Sequence, residues 1–451
     1  MQTWRSCFGR SSAIVNFTYL YPAIQAGRSL GKYTAINSTQ QKPTMQDSTF
    51  ANKSNLRVNT PTEKDLIDGA KGLAPLLRKM GPIHDEERRI SDEVATRLRD
   101  IGLFRIVQSV ENGGYGMRPS VLWKAAREIT RVDPATGWVL SLTGLHPWLA
   151  GMFSPQAQDE VFEEGSKDAL ILALTGNVGR DVDAKIRGDG FEITGKWAYA
   201  SGVDVADWVT VLVECKMCEG KEMLLLLVPQ RNFHIDHNSW KTFGMRGTGS
   251  KDVYLDHVFV PSHRAVRWAN IGCNKAAGKA RNKGPMYEIP HTSLLVMSVA
   301  AAVVGAATCM LDLYRETVKV RMPAGLQTAQ TEDRFSLVTL GKAASQIEMA
   351  FKVLIFDVDE MYDQAASGRG FSEEQRTRYR TDGAMISDLA LVATDALSRS
   401  LGGSLLPNGP IERCFRDVHS MASHFLMQIN PAAELLGRTL VDLPLPPNAR
   451  I

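Results

Sequence analysis

The stretch GKWAYASGVDVADW, residues 195–208, gathers Trp197, Tyr199, Ser201 and Trp208 around a Ser-Gly step, with Asp204 and Asp207 beside them. Two arrangements account for this. In one, a strand packs its aromatics into a core and turns at Gly202. In the other, the aromatics wall a flat cofactor, and the Ser201 hydroxyl, able to donate or accept, addresses its edge. Near the C-terminal end, RCFRDVHSMASH brings in His424. An imidazole titrates near neutrality and can donate a hydrogen bond or take a proton; bonding a helix carbonyl is its structural alternative. His146 closes WVLSLTGLH, where a lone histidine commonly partners a helix C-terminus. Arg246 lies in GMRGTGSKD, whose three glycines let backbone approach a ligand. The spacing is not that of a GxGxxG fingerprint, and a strand follows instead of a helix. His419, His234, His237, His257 and His263 have no metal-ligand spacing and read as structural or surface residues.

Three blocks of periodicity would hold these side chains. From Thr62, Leu66, Ala70, Leu73, Leu77 and Met80 recur at helical spacing, and a second helix over 85–101 ends at Gly102. Helices are also predicted over 120–131, 135–151 and from Pro155 to near Gly165. Strand-like runs follow at 170–174, 184–187, 191–194, 208–213, 224–228 and 253–260, with a hairpin turn at Gly188-Asp189-Gly190. Residues 267–290, with several glycines and the basic set Lys275, Lys279, Arg281 and Lys283, read as a solvated linker. Helical spacing returns over 291–320, 332–366, 372–401, 411–427 and 431–439, enough for a bundle. The expected organisation is an extension over 1–60, a helical domain over 61–168, a β-domain over 169–267, a linker over 268–290 and a bundle over 291–445.

A chain of 451 residues exceeds one core, and a net charge of +3 gives no electrostatic footprint for nucleic acid. The apolar run Leu294–Ala307 is shorter than the roughly 20 residues of a membrane span and predicts a buried helix. Six scattered cysteines, with one lone CxxC at Cys215 and Cys218, indicate a reducing compartment and no metal site. The first 45 residues carry Arg5, Arg10, Arg28, Lys32 and Lys42 and no acid. That composition fits a mitochondrial presequence, or an unstructured extension ahead of a start near Met45.

Four stretches together carry a family likeness: DEERRISDEVATRLRDIGLFRI (85–106), DPATGWVLSLTGLH (133–146), GKWAYASGVDVADW with GMRGTGSKDVYLDHVFVP (195–208, 244–261), and RCFRDVHSMASH (413–424). They resemble the acyl-CoA dehydrogenase superfamily and, within it, the group D flavin-dependent monooxygenases, the oxygenase halves of two-component systems. The resemblance implies an α+β fold: an N-terminal helical domain, a central β-barrel-like domain and a C-terminal four- or five-helix bundle in a homotetramer. It implies reduced flavin (FMNH2 or FADH2) from a separate NAD(P)H-dependent flavin reductase. One atom of O2 would pass, through a C4a-hydroperoxyflavin, to a small aromatic or amine substrate. By the same resemblance Ser201 addresses flavin N5. Tyr199, Trp197, Thr175 and Arg246 join it around the cofactor, His424 serves catalysis, and His146 and Trp138 meet the substrate. The dehydrogenases of this fold use a carboxylate base. Here no acid follows Arg416-Asp417 through Asn430, and Leu295 occupies the other family position. A dehydrogenase with an unrecognised base and a catalytically silent member remain the alternatives. An intracellular, cytoplasmic location is expected, with mitochondrial targeting as the second reading.

Overall fold

The computed structural model describes residues 60–163, 165–176, 179–217, 220–272, 275–322 and 329–451. The leader and extension readings of the first 59 residues, Cys7 among them, fall outside the described residues, as do Cys218 and Cys273.

The N-terminal helices are α1 (Glu63–Gly72), α2 (Ala74–Glu87), α3 (Asp92–Ile101), α4 (Pro119–Thr130), α5 (Pro134–Thr143), α6 (His146–Ala150) and α7 (Pro155–Phe162). The stripe from Thr62 to Met80 is two helices, because Pro75 in the first turn of α2 has no N–H to lose there. α2 runs on to Glu87, past the expected start of the second helix, and Arg88 ends it in the left-handed region (φ 55°). Ser91 then caps α3 by accepting the Val94 N–H. Asp133, whose pKa burial would raise but its bond with His84 brings below the ordinary value, ties α5 to α2.

The strands are β1 (Ile171–Leu174), β2 (Arg180–Arg187), β3 (Gly190–Ala200), β4 (Trp208–Met217), β5 (Gly220–Pro229), β6 (His234–Asp236), β7 (Lys251–Pro261) and β8 (Ala265–Arg267). They form two four-stranded sheets, ordered β1-β4-β5-β8 and β2-β3-β7-β6. The central domain is thus a pair of mixed or antiparallel sheets, and its described residues close no barrel. The sheets face each other through fully buried Trp197, whose indole N–H on β3 donates to the Leu212 carbonyl on β4 at 3.0 Å.

The described part of 268–290 is not a solvated linker throughout: Lys275 and Lys283 are exposed, but other residues pack into the core. After α8 (Trp268–Gly272), Asn282 donates to the Gly151 carbonyl and to Gln158, while Met286, Tyr287 and Ile289 join the core. The glycine and lysine content hid this short apolar triplet.

The bundle comprises α9 (His291–Val320), α10 (Arg334–Ala366), α11 (Glu373–Leu401), α12 (Pro410–Ala422) and α13 (Ile429–Leu440). α9 is long and apolar enough to cross a membrane by composition, yet 89% of its most apolar window is buried. It is the central helix, packed against α4, α5, α10, α11 and α12.

Candidate active site

β3 carries the aromatic cluster, and a bulge divides it. Trp197 pairs with Val253 and Ala200 with Lys251, so three steps along β3 match two along β7. At the bulge Tyr199 adopts φ 66°, a left-handed conformation uncommon for a side chain of its size. On a regular strand Trp197 and Tyr199 would share a face. The bulge parts them, leaving Trp197 between the sheets and Tyr199 68% exposed, edge-on to Trp240 at 6.2 Å.

Tyr199 opens onto a cavity of about 690 Å³ that is also lined by Trp138, His146, Thr175, Ser201 and His424. Six of the sequence-derived candidates therefore meet in one place. Trp197 is corrected to a core position, because its indole is spent on Leu212. Arg246 also stays out of the lining: its Nε donates to the Thr242 carbonyl at 3.2 Å and its guanidinium lies 3.6 Å from Asp85. His419, read as structural or surface, lines the cavity, as do Trp240, Ser250 and Phe425, which the sequence did not single out. For Ser250 a signal existed in the paired hydroxyls of GTGS; for Trp240 and Phe425 there was none. Asp204 and Asp207 act as braces, the first paired with buried Lys251 at 2.6 Å, the second accepting the Leu170 N–H at 2.7 Å.

The two histidines hold opposite tautomers. His146 starts α6 and does not end a helix, since Gly144 and Pro147 break the predicted 135–151 segment. Its Nδ1 lies 2.8 Å from the Ile171 carbonyl, which can only accept, so Nδ1 bears the hydrogen and Nε2 is bare. His424 lies beyond α12, where its Nδ1 accepts the Leu426 N–H at 3.2 Å. The neutral ring then carries its hydrogen on Nε2. Burial lowers both to about 4, aided at His424 by Arg380 and Arg450, so both are neutral at pH 7. One ring is left with an acceptor to spend and the other with a donor.

Ser201 stands in a row of hydroxyls. Its Oγ accepts from Trp138 Nε1 (3.1 Å) and lies 2.7 Å from Ser250 Oγ, which lies 2.6 Å from Thr248 Oγ1. Thr248 Oγ1 is 2.8 Å from the Met245 carbonyl. The loop bearing these groups is fastened from α12. Asp417 accepts the Met245 N–H at 2.6 Å, and Arg416 donates to the Phe243 carbonyl at 2.9 Å while pairing with Asp85 and Glu412. A Cβ on Gly244 would lie 2.2 Å from the Arg416 carbonyl, so only glycine permits that approach. From the far end of the chain Arg450 donates to the Gly176 carbonyl at 3.0 Å and lies over the Phe425 ring; Gly176 and Phe425 both line the cavity.

No Asp or Glu is present among the described lining residues, and Leu295 lines the wall. The base required for removing a proton from carbon is missing from them. An aromatic cavity of this volume, with a hydroxyl and bare Gly176 backbone at its edge, fits a flat tricyclic ring.

Comparison with known proteins agrees. Residues 297–429 match the family described as acyl-CoA dehydrogenase, C-terminal domain. The flavin-dependent monooxygenase oxygenase subunit HsaA of Rhodococcus jostii is 31% identical over 377 residues, covering 83% of this chain and 97% of that protein. The chain belongs to the flavin-dependent monooxygenases. The FADH(2)-dependent resorcinol hydroxylase oxygenase component of a Rhizobium species is 29% identical, over 84% of this chain and 94% of its own length. The crystal structure of 3-HSA hydroxylase from Rhodococcus sp. RHA1 superposes with a TM-score of 0.79 at 30% identity, covering 85% and 98% of the two chains. The monooxygenase is an oxygenase component using reduced flavin and O2, and as one half of a two-component system it depends on a separate flavin reductase. These relatives are bacterial, which lends no support to the presequence reading.

Proposed function

We propose that this oxygenase hydroxylates a small phenol, with FADH2 delivered by an NAD(P)H-dependent reductase inside the cell. Reduced flavin supplies the two electrons with which one oxygen atom enters the substrate and the other leaves as water. The chain's residues bind, orient and exclude water. Ser201 bonds the flavin edge, Tyr199 and Thr175 flank the ring, and Trp138 closes the substrate side. His146 accepts the substrate hydroxyl at bare Nε2, and His424 donates from Nε2 toward the oxygen being transferred. His424 acts as a donor and not as a base, because its other nitrogen is occupied by the Leu426 N–H.

The observation that carries this reading is the pair of neutral imidazoles with opposite tautomers in a cavity whose described lining has no carboxylate. The name of the Rhizobium relative supports FADH2 and a phenolic substrate. A homotetramer is part of the proposal, supported by exposed apolar patches on one face of α10.

The test supplies anaerobically reduced FAD and a panel of phenols, then oxygen, and quantifies hydroxylated product against hydrogen peroxide. His424→Ala is expected to lower the hydroxylation rate about 10²-fold. Ser201→Ala is expected to divert turnover to peroxide. Anaerobic reduction of bound flavin by an acyl thioester would instead establish the dehydrogenase, and no flavin binding in either redox state would establish a silent member.

A further inference from the structure

The row of hydroxyls behind Ser201 has two possible directions. Each hydroxyl carries one hydrogen, so the row is either passed from Ser201 toward Met245 or back toward the cavity. Its ends are unequal. Trp138 Nε1 can only donate, and it donates to Ser201 at 3.1 Å. The Met245 carbonyl can only accept, and Thr248 Oγ1 lies 2.8 Å from it. Running from Ser201 to Ser250 to Thr248 to Met245, every close contact is a hydrogen bond. In reverse, Thr248 turns to Ser250, and two oxygens 2.8 Å apart face each other through lone pairs. Thr248 and Ser250 are buried, so water does not make up the loss.

We infer that Thr248 and Ser250 are positioning residues that spend the Ser201 hydrogen inward, leaving Ser201 able only to accept from the cavity and so biasing the site toward reduced over oxidised flavin. The inference rests on the proposed placement of Ser201 at the flavin edge. N5 of reduced flavin bears a hydrogen that the free lone pair of Ser201 accepts; N5 of oxidised flavin is a lone pair and meets another. To bind the oxidised form equally well the row must reverse. Met245 O also receives Trp240 Nε1 at 3.1 Å, so reversal forfeits one hydrogen bond without orphaning the carbonyl. One net bond corresponds to about fivefold to tenfold in affinity. The bias discharges spent cofactor and retains the form that reacts with oxygen.

The test is equilibrium binding of oxidised FAD and, anaerobically, of reduced FAD to the full-length wild type, Ser250→Ala and Thr248→Val. In Ser250→Ala the Ser201 hydrogen loses its inward acceptor. In the near-isosteric Thr248→Val, Ser250 turns its own hydrogen to Ser201, which frees the Ser201 hydrogen for the cavity. Both variants are expected to lose about fivefold to tenfold of the wild-type preference for the reduced form, chiefly through tighter oxidised FAD. The bound two-electron midpoint potential should fall by about 20–30 mV in parallel. A general loosening of the loop would weaken both forms and leave the ratio alone. A reduced-form preference that survives intact in both folded variants overturns this inference and leaves the proposed function standing. Failure of the wild type to bind either form overturns the flavin placement, and this inference with it.

Discussion

The difference between His146 and His424 lies in one hydrogen bond each, to a carbonyl in the first case and from an amide in the second. Selective ¹⁵N labelling should find the His146 ring protonated at Nδ1 and the His424 ring at Nε2, both neutral until the pH approaches about 4. A cationic ring on either at pH 7 would contradict the assignment. Global stability is a poor monitor. Between pH 6.5 and 4 the unfolded histidines take protons the native rings refuse, so stability drops with falling pH, by at most about 1.4 kcal/mol per unit for each ring. Buried Asp417, pushed up to about 7, acts oppositely: from its ordinary 3.8 up to 7 the native carboxyl keeps a proton the unfolded one releases, and stability drops with rising pH. The slopes oppose over much of one window. His146→Ala should raise the KM for a phenol about tenfold, one hydrogen bond's worth, with a smaller change in kcat. Residue types in the sequence pointed to His146, Ser201 and His424. Their donor and acceptor roles did not show there, since a tautomer depends on a backbone group 25 residues away in one case and two in the other.

The loop between β6 and β7 owes its shape to α12. Asp417 presents a carboxyl oxygen to the Met245 N–H, a task an amide oxygen also performs. Asp417→Asn should therefore retain flavin affinity, whereas Asp417→Ala leaves a buried N–H without a partner and should cost about 1–3 kcal/mol together with a loss of flavin binding. Denaturation and flavin titration of the two variants check this. The Arg-Asp pair stood out in the sequence as the marker after which a catalytic acid would follow; in the fold it holds a loop. Long helices with uninterrupted stripes, α9 to α11, were legible nearly to their ends. The break between α5 and α6 was not, because both halves are buried on nearly every side and periodicity does not register a change of direction. The bulge in β3 was equally hidden: alternation in sequence puts Trp197 and Tyr199 together, and only pairing with β7 sends them apart.

For the molecule as a whole, α10 carries Phe335, Val338, Met349, Val353 and Phe356 exposed on a single face, with Phe335 at 79% and Phe356 at 65%. Spacings of three, eleven, four and three residues keep them in register along the helix. The two apolar patches, at opposite ends of one helix face with exposed Lys342 and Ser345 between them, fit contact with another copy. Phe356→Glu should shift the proposed homotetramer to smaller species in light scattering, while a tetramer of unchanged mass would remove α10 from the contact. The helices–sheets–helices order was readable from the change of period, whereas the division of the β-domain into two sheets needed pairings between strands far apart in sequence. Arg450 is the second-last residue of this sequence, and its guanidinium rests on two walls of the reaction chamber. An affinity tag appended there would crowd the chamber's rim. For the same reason a small environment-sensitive dye at that position would report ligand entry optically, without relying on the yellow colour of the cofactor.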